Sequence, residues 1–399
     1  MSTPNRGSAR VSSPWVIIIV MAAGAFTVNL DSRSIIPLLP SLAADLNVGI
    51  ATAGAIATAY MFPYGALQLA YGPLADRIGR VPVARMTLLG FAIGATACAF
   101  ADSFETLVVL RFLTGAAAAA VFPMALTFVG DSFPYRERSA AISALATSSA
   151  MAQMLSLALG GILAGFVSWR AVFLLDGILA FICVGALFWL RAPAQTGPRA
   201  SALAGYRTFF RTPTAWVIVA LGMVEGGLLF GGLTYLGAFL RAEWELSYPT
   251  IGLVLATYGV ASLIASRLLP WYARRVGEPM RFLSGMILTG IAYVAIALLT
   301  DWPPFIGVSF ALGLAFVGAH SVLQARATEA IPGARGTSVA VFACGLFLGG
   351  AIGTWGTGAS IDLWGFRAAF GGLAVGVFVF SVVGWQGLER NPHPPGPSP

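Results

Sequence analysis

Lysine is missing altogether: every one of the 23 basic residues is arginine, set against 16 acidic residues and two histidines. Charged residues make up only 10% of the chain, where a water-soluble domain carries about 25%. A surface solvated all round is therefore excluded. The three cysteines, Cys98, Cys183 and Cys344, sit singly inside apolar runs, so neither a disulfide framework nor a Cys/His metal site is expected. No Gly-x-x-x-x-Gly-Lys loop, His-Glu-x-x-His pair or nucleophile elbow occurs, which leaves no means of hydrolysing ATP or running other enzyme chemistry. The net charge of +7 is scattered over short segments rather than gathered on one surface, so nucleic acid is not the expected partner.

What is abundant is apolar: 58% of residues are hydrophobic and the mean hydropathy is +0.83. Each crossing of a lipid hydrocarbon core needs about 20 residues. Long uncharged runs predict twelve crossings, near Trp15–Leu39, Gly49–Leu69, Arg85–Ala101, Leu107–Gly130, Ala140–Phe166 and Ala171–Leu190, then Pro213–Leu240, Tyr248–Ser266, Phe282–Thr300, Pro304–Gln324, Thr337–Ile361 and Ala368–Gly387. The first run is too long for a signal-peptide core and is expected to be retained. With the N-terminus in the cytoplasm, most loop arginines, from Arg6 and Arg10 through Arg199 and Arg335 to Arg390, fall on the cytoplasmic side. Only Arg170, Arg241 and Arg367 face outward, so both termini are expected inside.

The chain also echoes itself half its length apart. Trp169-Arg170-Ala171-Val172-Phe173 returns as Phe366-Arg367-Ala368-Ala369-Phe370, Asp131 and Pro134 as Glu329 and Pro332, and Pro73 as Pro270. The predicted fold is all-α, with two six-helix bundles related by an axis along the membrane normal. Residues 15–190 form the first bundle and 213–388 the second. An irregular Pro/Gly/Ser/Arg-rich linker (191–212) joins them, with cytoplasmic tails at 1–14 and 389–399.

The loop after the second predicted crossing reads Gly72-Pro-Leu-Ala-Asp76-Arg77-Ile-Gly79-Arg80. It resembles the signature of the major facilitator superfamily. The resemblance implies a conformational latch, with Asp76 near a helix start, Arg77 and Arg80 at the cytoplasmic surface, and Gly72 and Gly79 allowing close packing and a turn. In the second half Ala273 replaces the aspartate, so that copy looks degenerate. Leu30-Asp31-Ser32 and Arg111-Phe-Leu-Thr-Gly115 are similar to patterns of the drug-efflux branch, in which the arginine is linked to proton transfer. The fifth crossing departs from that branch, because Ser156-Leu157 precede Gly160-Gly161 where a Gly-Pro pair is usual.

Charge inside the membrane marks the candidate site, since insertion of an ion there costs at least ~2.5–3.5 kcal/mol. Glu225 lies about nine residues into the seventh crossing, too deep to reach water by extension, and is expected to exchange protons or bind a cationic substrate. Asp31 and Arg33, two residues apart, should face opposite sides of their helix. Asp31 is expected at the cavity, while Arg33 is placed nearer the outer interface. Arg111 is expected at depth, with Asp31 a candidate partner. His320 can titrate near neutral pH, and Gln153 and Asn29 can bond substrate or tie helices together. Asp176 and Asp362 are placed towards the outer surface.

The expectation is a secondary active transporter of the inner membrane, driven by the proton gradient without a cofactor and working as a monomer in the lipid bilayer. Its leading substrate is a small, partly apolar compound exported by alternating access. Proton symport of a sugar or organic acid is an alternative, and a non-transporting sensor or scaffold is another of a different class.

Overall fold

In the computed structural model of the chain, residues 12–191, 202–331 and 335–390 are described. Arg6, Arg10 and Arg199, most of both tails and half of the linker lie outside them. The regular structure of the described residues is all helical: α1 (Pro14–Asp45), α2 (Ile50–Ile78), α3 (Arg80–Cys98), α4 (Phe104–Ala118), α5 (Val121–Ser132), α6 (Tyr135–Phe166), α7 (Trp169–Trp189), α8 (Ala202–Phe210), α9 (Pro213–Thr234), α10 (Leu236–Trp244), α11 (Tyr248–Ala273), α12 (Glu278–Leu298), α13 (Phe305–Glu329) and α14 (Arg335–Arg390). Their starts follow from sequence. Ser103, Ser168 and Ser247 each accept a bond from a free amide of the first turn, and prolines open α1, α9, α11 and α12.

Eleven stretches of the described residues are long and apolar enough to cross a membrane. The last, Gly336–Arg390, has 55 residues, or roughly 80 Å of helix against a ~30 Å hydrocarbon core. Its one interruption is Gly365, whose φ of 79° lies where only glycine sits without strain. The loop expected between Ile361 and Ala368 is thus reduced to a single-residue break. Two runs expected to be continuous are broken instead. Ala119-Ala120 separate α4 from α5, and Tyr235 separates α9 from α10 while its hydroxyl donates to the Thr354 carbonyl at 3.0 Å. The linker also differs from expectation: α8 forms within it, and Tyr206 donates to the Leu69 carbonyl at 2.8 Å, pinning it to α2.

The first group of helices packs mainly α1 on α6 and α7, α3 on α7 and α2 on α4; the second packs α9 and α12 on α14 and α13 on α11 and α12. The two groups meet chiefly where α2 lies along α14 and α6 along α11. Small residues make those approaches possible. A Cβ on Gly161 of α6 would stand 2.6 Å from the Gly252 Cα of α11, and one on Gly65 of α2 would stand 3.0 Å from Phe347 of α14.

The halves repeat in their contacts as well as in their letters. Arg170 bonds Asp45 at 2.6 Å and the Ala101 carbonyl at 3.1 Å; half a chain later Arg367 bonds Glu243 at 2.8 Å and the Ala297 carbonyl at 3.2 Å. Gly115 lies against the Tyr60 carbonyl, and its counterpart Gly313 lies against that of Tyr258. At the opposite end Arg80 bridges Asp131 at 3.2 Å, linking α3 to α5. There Glu278, the counterpart of Arg80, bridges Arg326 at 2.6 Å, linking α12 to α13. The second copy has lost its aspartate, yet its corner still carries an ion pair, with Arg326 lying three residues before Glu329, the counterpart of Asp131.

Candidate functional site

Three clusters of polar groups lie inside the helices. In the first half Arg111 of α4 and Asp31 of α1 are sealed from solvent, with side-chain exposures of 1% and 0%. One guanidinium nitrogen of Arg111 donates to both Asp31 oxygens, at 2.7 and 2.8 Å. The guanidinium also lies 4.2 Å above the Tyr60 ring and 5.2 Å from that of Phe173, so aromatic faces replace water around it. Asp31 therefore faces the interior of its own bundle rather than the junction between the halves.

Asp176 corrects a second placement. Expected near the outer surface, it is wholly buried on α7, within electrostatic reach of Asp31 and Arg111, and both its oxygens lack a partner. With both carboxylates ionised, the sealed cluster would hold two negative charges against one positive. A single proton on either carboxylate would make it neutral. A sequence signal existed: Trp169, Phe173, Asp176, Gly177 and Ala180 recur at helical spacing on the buried stripe of α7.

In the second half Glu225 of α9 is fully buried, and its Oε2 lies 3.0 Å from Nδ1 of His320 on α13. Its Oε1 has no partner. Phe316, one turn before His320, stacks on the imidazole at 4.9 Å with 10° between the planes and fixes its orientation. Gly226 and Gly227, next in sequence, press against the Leu346 and Gly349 carbonyls of α14 and close the far side of α9. The carboxylate is therefore held between helix backbones and one imidazole.

The third cluster lies at the junction. Arg33 does not extend to the outer interface, as expected for a snorkelling residue. Its guanidinium turns inward, 4.6 Å over the Phe230 ring of α9, and lines a small cavity with Gln153 of α6 and Tyr258 of α11. Gln153 Oε1 and the Tyr258 hydroxyl are buried without partners. Tyr258, the half-chain counterpart of Tyr60, was not singled out by sequence, because an aromatic in an apolar run reads as core.

The latch residues occupy the α2–α3 corner. Gly79 has φ 97° and forms the turn, Asp76 accepts from Arg80 at 2.8 Å, Arg77 is exposed and Gly72 lies within α2. Ser156, where the efflux pattern has its Gly-Pro pair, donates to the Leu30 carbonyl of α1, and Gly160 rests against Pro37. Asn29 joins α1 to Ser149 of α6 at 3.3 Å. Cys98, Cys183 and Cys344 are buried free thiols.

Ionisable groups sealed within stacked apolar helices and distributed over two repeated halves define a membrane transport protein. The model of the Major Facilitator Superfamily matches residues 21–243 and 226–399, and the chain belongs to that family. It is a multi-pass membrane transporter, not an enzyme. It is 27% identical over 94% of its length to an uncharacterised MFS-type transporter, YceJ, of Bacillus subtilis, covering 96% of that protein. It is 25% identical to a chloramphenicol resistance protein of Pseudomonas aeruginosa, over 84% of this chain and 82% of the other. Among solved structures, a bacterial homologue of the lysosomal transporter Spinster, inward-facing and unoccupied, superimposes with a TM-score of 0.80 at 17% identity, over 96% of this chain and all of that one.

Proposed function

We propose that the protein exports a small, partly apolar compound across the inner membrane in exchange for protons. The chain crosses twelve times, with α14 counted as two helices parted at Gly365, and both termini lie in the cytoplasm. Bundles 15–190 and 213–388 rock about the substrate site, the 191–212 linker joins them, and residues 1–14 and 389–399 are tails. The proton gradient supplies the energy without a cofactor, and one chain suffices.

The observation that carries this reading is Glu225 with one oxygen on His320 and the other unpartnered in a sealed space. An acid so placed binds and releases a proton as the surrounding helices part, and each state of charge favours a different packing. Asp31, Arg111 and Asp176 form a second proton store in the first half. Asp76, Arg77 and Arg80, with Gly72 and Gly79, gate the cytoplasmic side. The relative conferring chloramphenicol resistance supports export of a compact, partly apolar molecule.

The test is transport in proteoliposomes under an imposed pH gradient. Wild-type protein should concentrate substrate against its gradient only when protons flow the other way, and Glu225→Gln should uncouple the two. Unchanged coupling in Glu225→Gln would remove the residue from this role. The cationic lining at Arg33 favours a second reading, uptake of an organic acid by proton symport, in which substrate and protons move together in the same assay.

A further inference from the structure

We propose that Arg33, Gln153 and Tyr258 form an anion subsite at the junction of the halves, which takes the carboxylate of a small amphiphilic acid. The inference deepens the transport reading and rests on it for its physiological meaning, though not for its chemistry.

Three observations converge. Arg33 forms no ion pair or hydrogen bond among the described residues; its guanidinium lies over the face of Phe230, with the Tyr64 and Tyr258 hydroxyls in electrostatic reach. A cation at this depth is costly without a counter-charge. The two other cationic side chains deepest in the bundles do have one, Arg111 on Asp31 and His320 on Glu225. Glu225, whose charge also reaches Tyr258, is bonded to His320 rather than to Arg33.

The remaining polar groups of the cavity are likewise unspent. Tyr258 offers a buried hydroxyl with only Ser262, one turn on, in reach, and the unpartnered atom of Gln153 is its amide oxygen, so the amide must turn over to present its NH2 edge to an anion. A guanidinium, a phenol and an amide are all hydrogen-bond donors, and converging donors with one positive charge suit a carboxylate. The rest of the lining is apolar, including Leu157, Leu233 and Leu255. A wall of leucines beside a single cation selects an acid with a hydrocarbon or aromatic body rather than a sugar or a polyanion.

The site is also composite. Arg33 and Gln153 come from the first half, and Tyr258 and Phe230 from the second. The enclosed space is about that of one water molecule, so the ligand enters when the halves part and is gripped as they close. Such a ligand senses the state of both halves at once.

Binding to the purified full-length protein in detergent tests the subsite independently of transport. The probes are benzoate, hexanoate and 4-phenylbutyrate, each with its neutral amide and its amine. At least one carboxylate should bind tenfold or more tighter than its amide and amine. Arg33→Gln should abolish that preference, and Arg33→Lys should retain part of it. Arg33 has no carboxylate partner to strand, so both variants should remain monodisperse. The proposal is overturned if an amide or amine binds as tightly as its acid, if no carboxylate binds, or if Arg33→Gln leaves carboxylate affinity intact. Carboxylate binding without proton-linked movement in proteoliposomes would instead sink the transport reading and leave the subsite standing.

Discussion

Replacing Arg111 by glutamine probes the charge balance of the first half. In the native cluster one guanidinium is bonded to Asp31, with Asp176 buried in electrostatic reach, so one proton balances the charge. Removing the guanidinium leaves Asp31 and Asp176 in electrostatic reach of each other without a cation, and a second proton is required. Protonating a carboxyl group of ordinary pKa, about 3.9, costs ~4 kcal/mol at pH 7, in line with the ~3–5 kcal/mol seen when one partner of a buried pair is lost. Asp31→Asn differs in kind, because Asp176 stands ready to become the partner of Arg111; its cost should fall well below that of Arg111→Gln. The double variant Asp31→Asn/Asp176→Asn strands the cation and should again be severe.

The pH dependence has a definite sign. The folded Arg111→Gln protein holds one more proton than wild type, whereas the unfolded carboxylates are ionised above about pH 5. Its deficit should therefore shrink on acidification, by ~2.7 kcal/mol between pH 7 and pH 5. Thermal unfolding of purified variants in detergent at both pH values measures this. If Arg111→Gln is no worse than Asp31→Asn, or its deficit ignores pH, the charge accounting is wrong.

Other outcomes follow from the same coordinates. Asp45→Asn breaks a pair whose partners are 36% and 47% exposed, and should cost under ~1 kcal/mol, a useful contrast to Arg111. His320→Phe keeps the stack on Phe316 but leaves Glu225 without a partner; proton-driven transport should fail while the protein still folds, and normal coupling would dismiss the imidazole as a conduit. Gly252→Val pushes a side chain into the α6 backbone at Leu157 and Gly161, each 2.8 Å from the added Cβ, and should cost ~1–3 kcal/mol or more. It should also favour the state in which α6 and α11 part, raising thiol labelling of a cysteine placed at Leu157 in a background lacking Cys98, Cys183 and Cys344; unchanged labelling would refute that contact as a closure point.

The low charge, long apolar runs and half-length echo of this chain were enough to define an all-helical membrane protein built twice over. Those features are local or periodic, and a bilayer admits few ways to bury a backbone. The turn at the α2–α3 corner was legible too, because a glycine at a φ of 97° is a local property, whereas the pairing of Asp76 with Arg80 was not foreseen. Where each buried charge points was legible only in part: the two-residue spacing set Arg33 and Asp31 on opposite sides of α1, and Asp31 was a candidate partner for Arg111. Of the two, Arg33 meets the junction and Asp31 the bundle interior. Asp176 looked peripheral until α7 was seen against α1 and α4. The partners that decide these roles, Arg111 for Asp31, His320 for Glu225 and Tyr258 for Arg33, lie between 80 and more than 200 residues away along the chain. Helix rotation fixes them, and rotation is set by which small residues let one backbone approach another. That information is spread across every interface of the fold, so only the assembled structure could show that Asp31 and Arg111 are sealed together, that His320 meets Glu225 and that Arg33 turns to the junction.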